Sequence, residues 1–422
     1  MLKFYEINDF RALLRYTVFQ ILIILKDNLL KQHLFVAEAK RTPIGNFQGS
    51  LASYKGYQLG SVAIRSLNAC DVDEVVMGCV LPAAQGQAPV RRAALAAGLA
   101  SHVSATTVNK VCGSGMKSIM IACDQIALGG AKSVIAGGME SMSNAPYLLE
   151  KARGGYRLGH GAIIDHLYKD GLEDAYHHNA DGSASLMGCF AEATAEKYGF
   201  SREDQDQFAL KGFEKTQKAI AQGFFKDEII SIESKDTKGN VSYFQEDEPP
   251  SRVKPEKFSL LKPVFKPAGT VTAATSSSLA DGAAALWIVG EETVNKHSLN
   301  PMARIVGHVS YADAPEWFTT APIGALNKLM HQLSWKLEDV DLFEINEAFA
   351  VVPMAVMREL RIPSEKVNVQ GGACTLGHPI GASGARIVVT LAHALKRHKL
   401  KRGVACICIG GGESTAIAIE VV

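Results

Sequence analysis

A chain of 422 residues is longer than one simple core supports, so we expect two or three domain-sized units. With 47% hydrophobic residues, 21% charged residues and 38 glycines, the composition is typical of a soluble α/β protein with many tight turns. A formal net charge of +1 and the lack of an arginine-rich tract argue against a general nucleic-acid surface.

The eight cysteines indicate neither a disulfide framework nor a zinc site. Their spacing is irregular and includes no CxxC pair, and Cys406 and Cys408 are spaced as alternate strand residues. We expect Cys406 to point to the opposite face from Cys408 and to belong to the core. We expect reduced thiols at positions 70, 79, 112, 123, 189, 374, 406 and 408. Reduced thiols persist in a reducing compartment, so we expect the protein to be cytoplasmic.

Residues 1–32 are predicted to be an N-terminal extension of unknown role. Tyr16–Leu25 is an apolar run that follows two arginines, as in a signal sequence. It is too short to span a bilayer, and no small-residue cleavage site follows it. We expect an appended helix here, with a membrane anchor as the alternative.

From Leu34 onwards, predicted strands alternate with predicted helices. This alternation indicates a parallel sheet that is covered on both faces. The predicted elements, in chain order, are the strand Leu34–Ala39, the helix Gln58–Leu67, the strand Glu74–Met77, the helix Arg91–Ala97, the strand Val103–Val108, the helix Met116–Leu128 and the strand Ser133–Ala136, which ends in GGMES.

Residues from about 144 to 267 interrupt this pattern. The stretch is rich in charged residues, glycine and aspartate, and it contains two predicted helices, Leu186–Tyr198 and Arg202–Ala221. Ser201 followed three residues later by Asp204 is typical of a helix N-terminus. We interpret the stretch as an insertion that forms a lid or a substrate-binding subdomain.

The second part of the chain repeats motifs of the first. DVDEVVMG at Asp71 and DVDLFEIN at Asp339 are 268 residues apart, GSGMK and ASGAR are 269 apart, and GGMES and GGGES are 273 apart. Three matches in order at nearly constant offset indicate a duplicated α/β unit. We therefore predict two halves, 33–299 with the inserted loop domain and 300–422.

Cys112 lies at the centre of VNKVCGSGMKS, between a predicted strand and a predicted helix. A strand that stops at a cysteine, turns on glycines and opens a helix places the sulfur near the positive end of the helix dipole. A thiol loses its proton most readily there and becomes a nucleophile. The residue types alone leave a second interpretation open, a small buried cysteine in a tight turn.

Three further stretches carry candidate catalytic groups. Asn346 follows the predicted strand Leu342–Ile345, His378 lies in a glycine-rich loop before a helix, and Cys408 ends a predicted strand. The ends of equivalent strands in two packed halves would bring these groups together. The glycines around His378 suggest close approach of the backbone to a ligand. Taken singly, the three residues could also be a turn former, a solvated histidine and a core cysteine.

Five motifs in order, VNKVCGSGMKS, GGMESMSNAP, NEAFA, GGACTLGHPIGASGAR and CIGGG, together resemble the thiolases, specifically the biosynthetic acetyl-CoA acetyltransferases. The resemblance runs from about Leu34 to Val422. It implies an α/β fold in which duplicated βα units form a five-layered α-β-α-β-α core with an inserted loop or lid domain. It also implies a homo-oligomer, dimer or tetramer, that needs no metal or redox cofactor because its substrates are coenzyme A thioesters.

The same resemblance implies a role for each candidate group. Cys112 matches the nucleophile that takes an acetyl group from acetyl-CoA, and His378 matches the histidine that activates it and binds the thioester oxygen. Cys408 matches the second cysteine, which moves the α-proton. Asn346 matches the asparagine that holds a water beside His378. The backbone N–H groups of Cys112 and Gly410 match the other oxyanion hole, where aimed donors stabilise developing charge.

Contacts to coenzyme A also follow from the resemblance. Ser277 matches a serine at the pantetheine arm, and Met187 and Phe349 match residues that line the acyl pocket. The segment IIDHLYKDGL resembles the cap over that pocket, and Lys262 is a candidate for the CoA phosphates. An ordinary loop serine, a helix-start methionine, a core phenylalanine and a solvated lysine are the alternatives.

The function implied by the resemblance is acetyl-CoA C-acetyltransferase, the reversible condensation of two acetyl-CoA into acetoacetyl-CoA and CoA. A 3-ketoacyl-CoA thiolase of broader chain length and a catalytically silent lipid-binding or assembly protein on the same fold remain alternatives. GGGES replaces the usual Gly-Met-Gly continuation after CIGGG, and Gln370 replaces a common asparagine. These departures leave the chain-length preference open.

Overall fold

The computed structural model describes residues 33–179, 181–235 and 241–422. The helix or anchor expected within residues 1–32 lies outside these ranges. The strands are β1 (Leu34–Arg41), β2 (Gly45–Asn46), β3 (Glu74–Gly78), β4 (Ser104–Val108), β5 (Ser133–Ser141), β6 (Tyr147–Leu148), β7 (Ile164–Asp165), β8 (Glu173–His178), β9 (Ala184–Leu186), β10 (Ile232–Lys235), β11 (Val241–Phe244), β12 (Ala280–Gly290), β13 (Ala303–Ala312), β14 (Leu342–Ile345), β15 (Arg402–Ile409) and β16 (Glu413–Val421).

The helices lie between these strands, and short 3-10 turns complete the connections. Within the described ranges, no helix combines the length and the apolar character needed to cross a membrane. The helices are α1 (Gly56–Arg65), α2 (Pro89–Ala96), α3 (Ser114–Ala127), α4 (His166–Gly171), α5 (Met187–Tyr198), α6 (Arg202–Ala221), α7 (Glu291–Lys296), α8 (Ala321–Leu333), α9 (Val351–Leu360), α10 (Ala373–Leu376) and α11 (Ile380–His398).

The elements predicted from Leu34 onwards all exist, and most of their ends agree within two or three residues. The strand expected to end at Ala136 is an exception, because residues 137–141 pair with residues 281–285 of β12 and extend β5 to Ser141. GGMES is therefore part of the strand. The N-terminus of α6 is as predicted, since the Ser201 hydroxyl and the Asp204 carboxylate each accept a hydrogen bond from the other residue's backbone N–H.

The large sheet is mixed, so the expectation of a parallel sheet was wrong. Its order is β14-β15-β16-β13-β1-β12-β5-β3-β4, and β2 also pairs with β12. Pairs β14–β15, β3–β5 and β3–β4 are parallel, and the remaining pairs along this order are antiparallel. The connection of β15 to β16 has only three glycines, which is long enough for a hairpin but not for a parallel crossover.

The two halves have the same strand order around a shared centre. In the first half β3, β5, β12 and β1 are neighbours, and in the second half β14, β15, β16 and β13 take the equivalent places. The repeated DVD motifs lead into β3 and β14, and GSGMK and ASGAR lie at the starts of α3 and α11. The duplicated architecture is therefore confirmed, while the domain limits 33–299 and 300–422 stay a prediction.

Helices and sheet halves stack in five layers, as the resemblance implied. Helices α3 and α11 pack on each other between the inner faces of the two sheet halves, where the largest buried cluster lies. Helices α1 and α2 cover the outer face of the first half. Helices α8 and α9 cover the outer face of the second half.

Glycines allow the middle layer to pack closely. A Cβ on Gly138 in β5 would lie 2.0 Å from the carbonyl oxygen of Gly381 in α11. A Cβ on Gly115 in α3 would lie 2.8 Å from the backbone nitrogen of Ala385. Real Cβ atoms do not approach so closely, so the side-chain hydrogen of glycine is required. The first turns of α3 and α11 therefore lie side by side.

A buried arginine joins β1 to the inserted region. Nε of Arg41 donates to Glu228 at 2.7 Å, and its two terminal nitrogens donate to Asp247 at 2.7 and 2.8 Å. All three side chains are almost completely buried. Because two buried carboxylates depend on this one cation, the contact is a strong constraint on where the insertion lies.

We predict that Arg41→Met lowers the free energy of unfolding by about 3–5 kcal/mol, since it leaves Glu228 and Asp247 buried without their cation. Urea unfolding followed by circular dichroism measures this loss. The control is Lys132→Met, which breaks an exposed ion pair with Glu292 and should change stability little. Equal effects of the two substitutions would contradict the structural importance of Arg41.

Candidate active site

Cys112 lies in a short, well-bonded turn between β4 and α3. Val111 has a φ of +46°, in the left-handed region. Its N–H donates to the side-chain oxygen of Asn109 at 3.0 Å. The Ser114 hydroxyl accepts from the N–H of Lys110 at 2.8 Å and donates to the carbonyl of Val111 at 2.6 Å. These local bonds hold the cysteine at the start of the helix, as the sequence predicted.

The sulfur of Cys112 lies at a cavity of about 360 Å³. Burial raises the pKa of this thiol to about 11, although the N–H of Gly410 donates to the sulfur and acts in the opposite direction. Loss of solvation therefore outweighs the hydrogen bonds that favour the thiolate. In the resting site Cys112 is a protonated thiol.

His378 lines the same cavity, in the connection between α10 and α11. Its backbone N–H donates to the carbonyl of Ser278 at 2.9 Å. Nδ1 lies 2.6 Å from the Ser383 hydroxyl, which itself donates to the carbonyl of Pro379, so we assign the ring proton to Nδ1. Burial and the nearby Arg386 lower the pKa of His378 to about 3. Nε2 is buried without a hydrogen-bond partner in the described ranges, and it is free to accept a proton.

Cys408 is buried at the end of β15 and lies beside Cys112. Burial and the neighbouring thiols of Cys112 and Cys406 raise its pKa well above the usual value, and the N–H of Ala348 donates to its sulfur. Cys406 and Cys408 belong to the same buried cluster, so the expected opposite orientation was wrong. Residues two apart in a strand share a face. The sulfur of Cys406 instead contacts Ser414 at 3.4 Å, consistent with its expected place in the core.

Asn346 is fully buried directly after β14. Its N–H donates to the carbonyl of Cys406 at 2.9 Å, while both polar atoms of its side-chain amide lack partners among the described residues. The neighbouring Glu347 accepts from the amide of Asn368 at 2.7 Å and from the N–H of Cys374 at 3.1 Å. These bonds hold the turn, and an amide with unused donors and acceptors is suited to bind a water.

The cavity brings together most of the residues that the sequence singled out. Its wall is almost entirely apolar, which favours an acyl chain over a charged ligand. Lys262 is exposed and does not line it. The predicted lining residues are Cys112, Met187, Ser277, Phe349, His378 and Gly410.

Two phenylalanines that line the cavity and two supporting polar residues were not predicted from the sequence. Phe265 and Phe318 line the cavity and contact Phe349 edge to face, with ring centres 5.8 and 6.5 Å apart. The spacing of Ser383, one turn into the helix that follows the histidine, was a usable signal for one polar group. No local signal existed for the other, Glu140.

Glu140 fixes the start of α11 from the opposite half. Its buried carboxylate accepts from the N–H groups of Gly381 at 2.9 Å, Val80 at 2.9 Å and Leu81 at 3.2 Å. Burial raises its pKa to about 7 despite these bonds. The contact joins residues 241 positions apart and places the first turn after His378.

The glycines around His378 pack against protein atoms. A Cβ on Gly372 would lie 2.1 Å from the carboxyl carbon of Glu347, and one on Gly384 would lie 2.6 Å from the backbone nitrogen of Met116. The interpretation of these glycines as room for a ligand was therefore wrong at both positions. Across the part of the chain that the structure describes, no cluster of three or more His, Cys, Asp or Glu side chains could hold a metal ion.

We predict that alkylation of Cys112 by iodoacetamide accelerates about tenfold per pH unit between about pH 7 and about pH 9.5, since only the thiolate reacts and its pKa is about 11. Peptide mass mapping measures the rate at this position, with Cys112→Ala as the control for assignment. A plateau below about pH 8 would contradict the protonated resting thiol.

Comparison with known proteins identifies the family. The Thiolase N-terminal domain matches residues 34–292, and the Thiolase C-terminal domain matches residues 299–421. A probable acetyl-CoA acetyltransferase of Dictyostelium discoideum is 46% identical over 92% of this chain and 94% of its own length. The acetyl-CoA acetyltransferase of Escherichia coli K12 is 45% identical over 91% of this chain and 98% of its own length.

A solved structure agrees with this assignment. The crystal structure of Bacillus anthracis acetyl-CoA acetyltransferase matches with a TM-score of 0.88 at 40% identity, and the match covers 93% of this chain and 99% of that one. Both the family domains and the fold therefore extend over nearly the whole described chain. The chain belongs to the thiolase family.

Proposed function

We propose that this chain is an acetyl-CoA C-acetyltransferase that reversibly condenses two acetyl-CoA into acetoacetyl-CoA and CoA. The observation that carries the proposal is the meeting of Cys112, His378 and the N–H of Gly410 at one apolar cavity, with Cys408 beside Cys112. Exchange of an acyl group between thioesters needs a nucleophilic thiol, a base and an oxyanion donor. The relatives described above carry this activity in their names.

In the first step, the thiol of Cys112 gives its proton to Nε2 of His378 while its sulfur attacks the carbonyl carbon of acetyl-CoA. The pKa of the thiol is high and that of the imidazole is low, so this proton moves only as the new bond forms. The N–H groups of Cys112 and Gly410 stabilise the oxyanion. The bond to the CoA sulfur then breaks, CoA leaves with the proton from His378, and acetyl-Cys112 remains.

In the second step, Cys408 loses its proton to water, and the resulting thiolate removes a proton from the methyl group of another acetyl-CoA. A water bound by the Asn346 amide donates to the enolate oxygen, because Nε2 of His378 no longer carries a proton once CoA has left. The enolate carbon attacks acetyl-Cys112, acetoacetyl-CoA is released, and the proton lost when Cys408 ionised returns to the sulfur of Cys112.

The apolar wall and the neighbouring loops supply the substrate site. The N–H of Ser277 donates to the carbonyl of Ala348 at 3.0 Å, which holds the pantetheine-binding loop against the catalytic turn. Met187 and Phe349 form part of the acyl wall. Lys262, exposed two residues before the lining residue Val264, is available to the CoA phosphates. The thioester itself acidifies the α-carbon, so the proposed reaction uses coenzyme A thioesters and no separate cofactor.

We extend the proposal to a cytoplasmic homo-oligomer, dimer or tetramer. Cysteines 70, 79, 112, 123, 189, 374, 406 and 408 are free thiols, which suits a reducing compartment. Among the described strands, β4 ends the sheet order and pairs on one side only, so its other edge can pair with a second copy. Sedimentation of the protein as a single 45.3 kDa chain would contradict the oligomer.

We predict different failures for the two cysteine variants. Cys112→Ala should form no acetyl-enzyme with labelled acetyl-CoA, because it lacks the nucleophile. Cys408→Ala should still be acetylated but should lose at least about 100-fold in condensation, because it lacks the base. Mass spectrometry of the acetylated protein and a coupled condensation assay measure the two steps. Acetylation of Cys112→Ala, or normal condensation by Cys408→Ala, would overturn the assigned role.

We also predict that acetoacetyl-CoA is cleaved at a kcat/KM at least about tenfold above that for longer 3-ketoacyl-CoA substrates, since Phe265, Phe318 and Phe349 confine the cavity. Thiolysis assays on a series of chain lengths measure this ratio. Equal rates for long chains would favour a broad 3-ketoacyl-CoA thiolase. Cleavage of none of them by the folded protein would favour the catalytically silent alternative.

A further inference from the structure

An ion pair connects the nucleophile turn to the glycine turn of the other half. Nζ of Lys110, two residues before Cys112, bonds to the carboxylate of Glu413 at the start of β16. The side chains are only 23% and 35% exposed, and the two residues are 303 positions apart. A pair that is mostly removed from solvent is screened less than a surface pair.

The two turns also touch through their backbones and one apolar side chain. The N–H of Gly410 donates to the sulfur of Cys112. A Cβ on Gly113 would lie 2.3 Å from Cδ1 of Ile409, so Ile409 fills the space beside the nucleophile turn. Ile409 and Glu413 are paired across the hairpin and therefore flank the three glycines on both sides. Both flanking side chains contact the segment that carries Cys112.

The three glycines of the turn lie close to Tyr176 and Asp313, but they have no side chains of their own to determine their position. Gly411 and Gly412 have φ values of +92° and +85°, which are open to glycine but not to most residues. The carbonyl of Gly412 accepts from the N–H of Asp313 at 2.8 Å. Since glycines have no side chains to pack, a bond at the flank of the turn has a large influence on where the Gly410 N–H points.

We propose that Lys110 and Glu413 are a positioning pair whose ion pair holds the Gly410 N–H against the sulfur of Cys112. The pair thereby sets the oxyanion donor for acetyl transfer, an inference that rests on the proposed function. The charged groups close to Lys110 are Glu413 and Lys117. The usual Gly-Met-Gly continuation has no carboxylate at this point, so the pair belongs to this chain's own sequence GGGES.

A positioning role and a direct charge effect predict different changes in the reactivity of Cys112 for two variants. Lys110→Met leaves a negative charge near Cys112, and Glu413→Gln leaves a positive one. If the pair acted through charge alone, Lys110→Met would lower the reactivity of the Cys112 thiol and Glu413→Gln would raise it. If the pair positions Gly410, both variants lose the aimed N–H and both lower the reactivity.

The experiment measures two rates on the full chain, iodoacetamide alkylation of Cys112 and single-turnover acetylation by acetyl-CoA. We expect Lys110→Met and Glu413→Gln each to lower both rates about tenfold, with KM for acetoacetyl-CoA within about twofold of the parent value. The double variant should be no slower than either single variant. Lys110→Arg keeps the charge and should retain most of the rate.

The matched control is the exposed ion pair of Lys132 and Glu292, 2.7 Å apart on the surface of the first half. Lys132→Met should leave both rates unchanged. Circular dichroism and the final stoichiometry of Cys112 labelling separate a slower site from a smaller folded fraction.

The proposal is overturned if both single variants stay within about twofold of the parent, if their effects on alkylation have opposite signs, or if the effects multiply in the double variant. Loss of the proposed function is a separate outcome. A parent protein without thiolysis activity would refute that function, while the alkylation rates would still test whether Lys110 and Glu413 position the turn.

Discussion

The close contact of α3 with α11 is the constraint on which the rest of the structure depends. Each helix starts two residues after a catalytic candidate, α3 after Cys112 and α11 after His378. A Cβ added to Gly384 would lie 2.6 Å from the backbone nitrogen of Met116, so the two helices contact each other through their backbones. Tight packing of their first turns therefore converts two distant loops into one cavity. A larger residue at such a contact would separate the nucleophile from its base.

Burial gives the resting site a neutral character. It raises the pKa of Cys112 to about 11 and lowers that of His378 to about 3, so neither a thiolate nor an imidazolium is present near neutral pH. Reactivity then depends on the thioester, whose developing oxyanion is stabilised by fixed N–H donors as the proton moves. A protonated thiol is also slow to be oxidised, because oxidation follows thiolate character.

The duplicated halves share a topology but have divided the chemistry between them. The first half supplies Cys112, and the second supplies Asn346, His378 and Cys408. Contacts that cross the boundary hold these groups in place, as when the carboxylate of Glu140 accepts from the N–H of Gly381. Both halves have the same order of strands, and each half of the sheet packs against the middle helices.

The sequence by itself determined the alternation of strands and helices, the duplication and, by resemblance, the identity of the candidate catalytic groups. Local signals were sufficient there, as for α6, whose start follows from Ser201 and Asp204. Tertiary structure alone decided the antiparallel pairings, the protonated state of Cys112 and the contacts of Glu140 and Glu413. Those features depend on burial and on residues hundreds of positions apart, which no local pattern of side chains encodes.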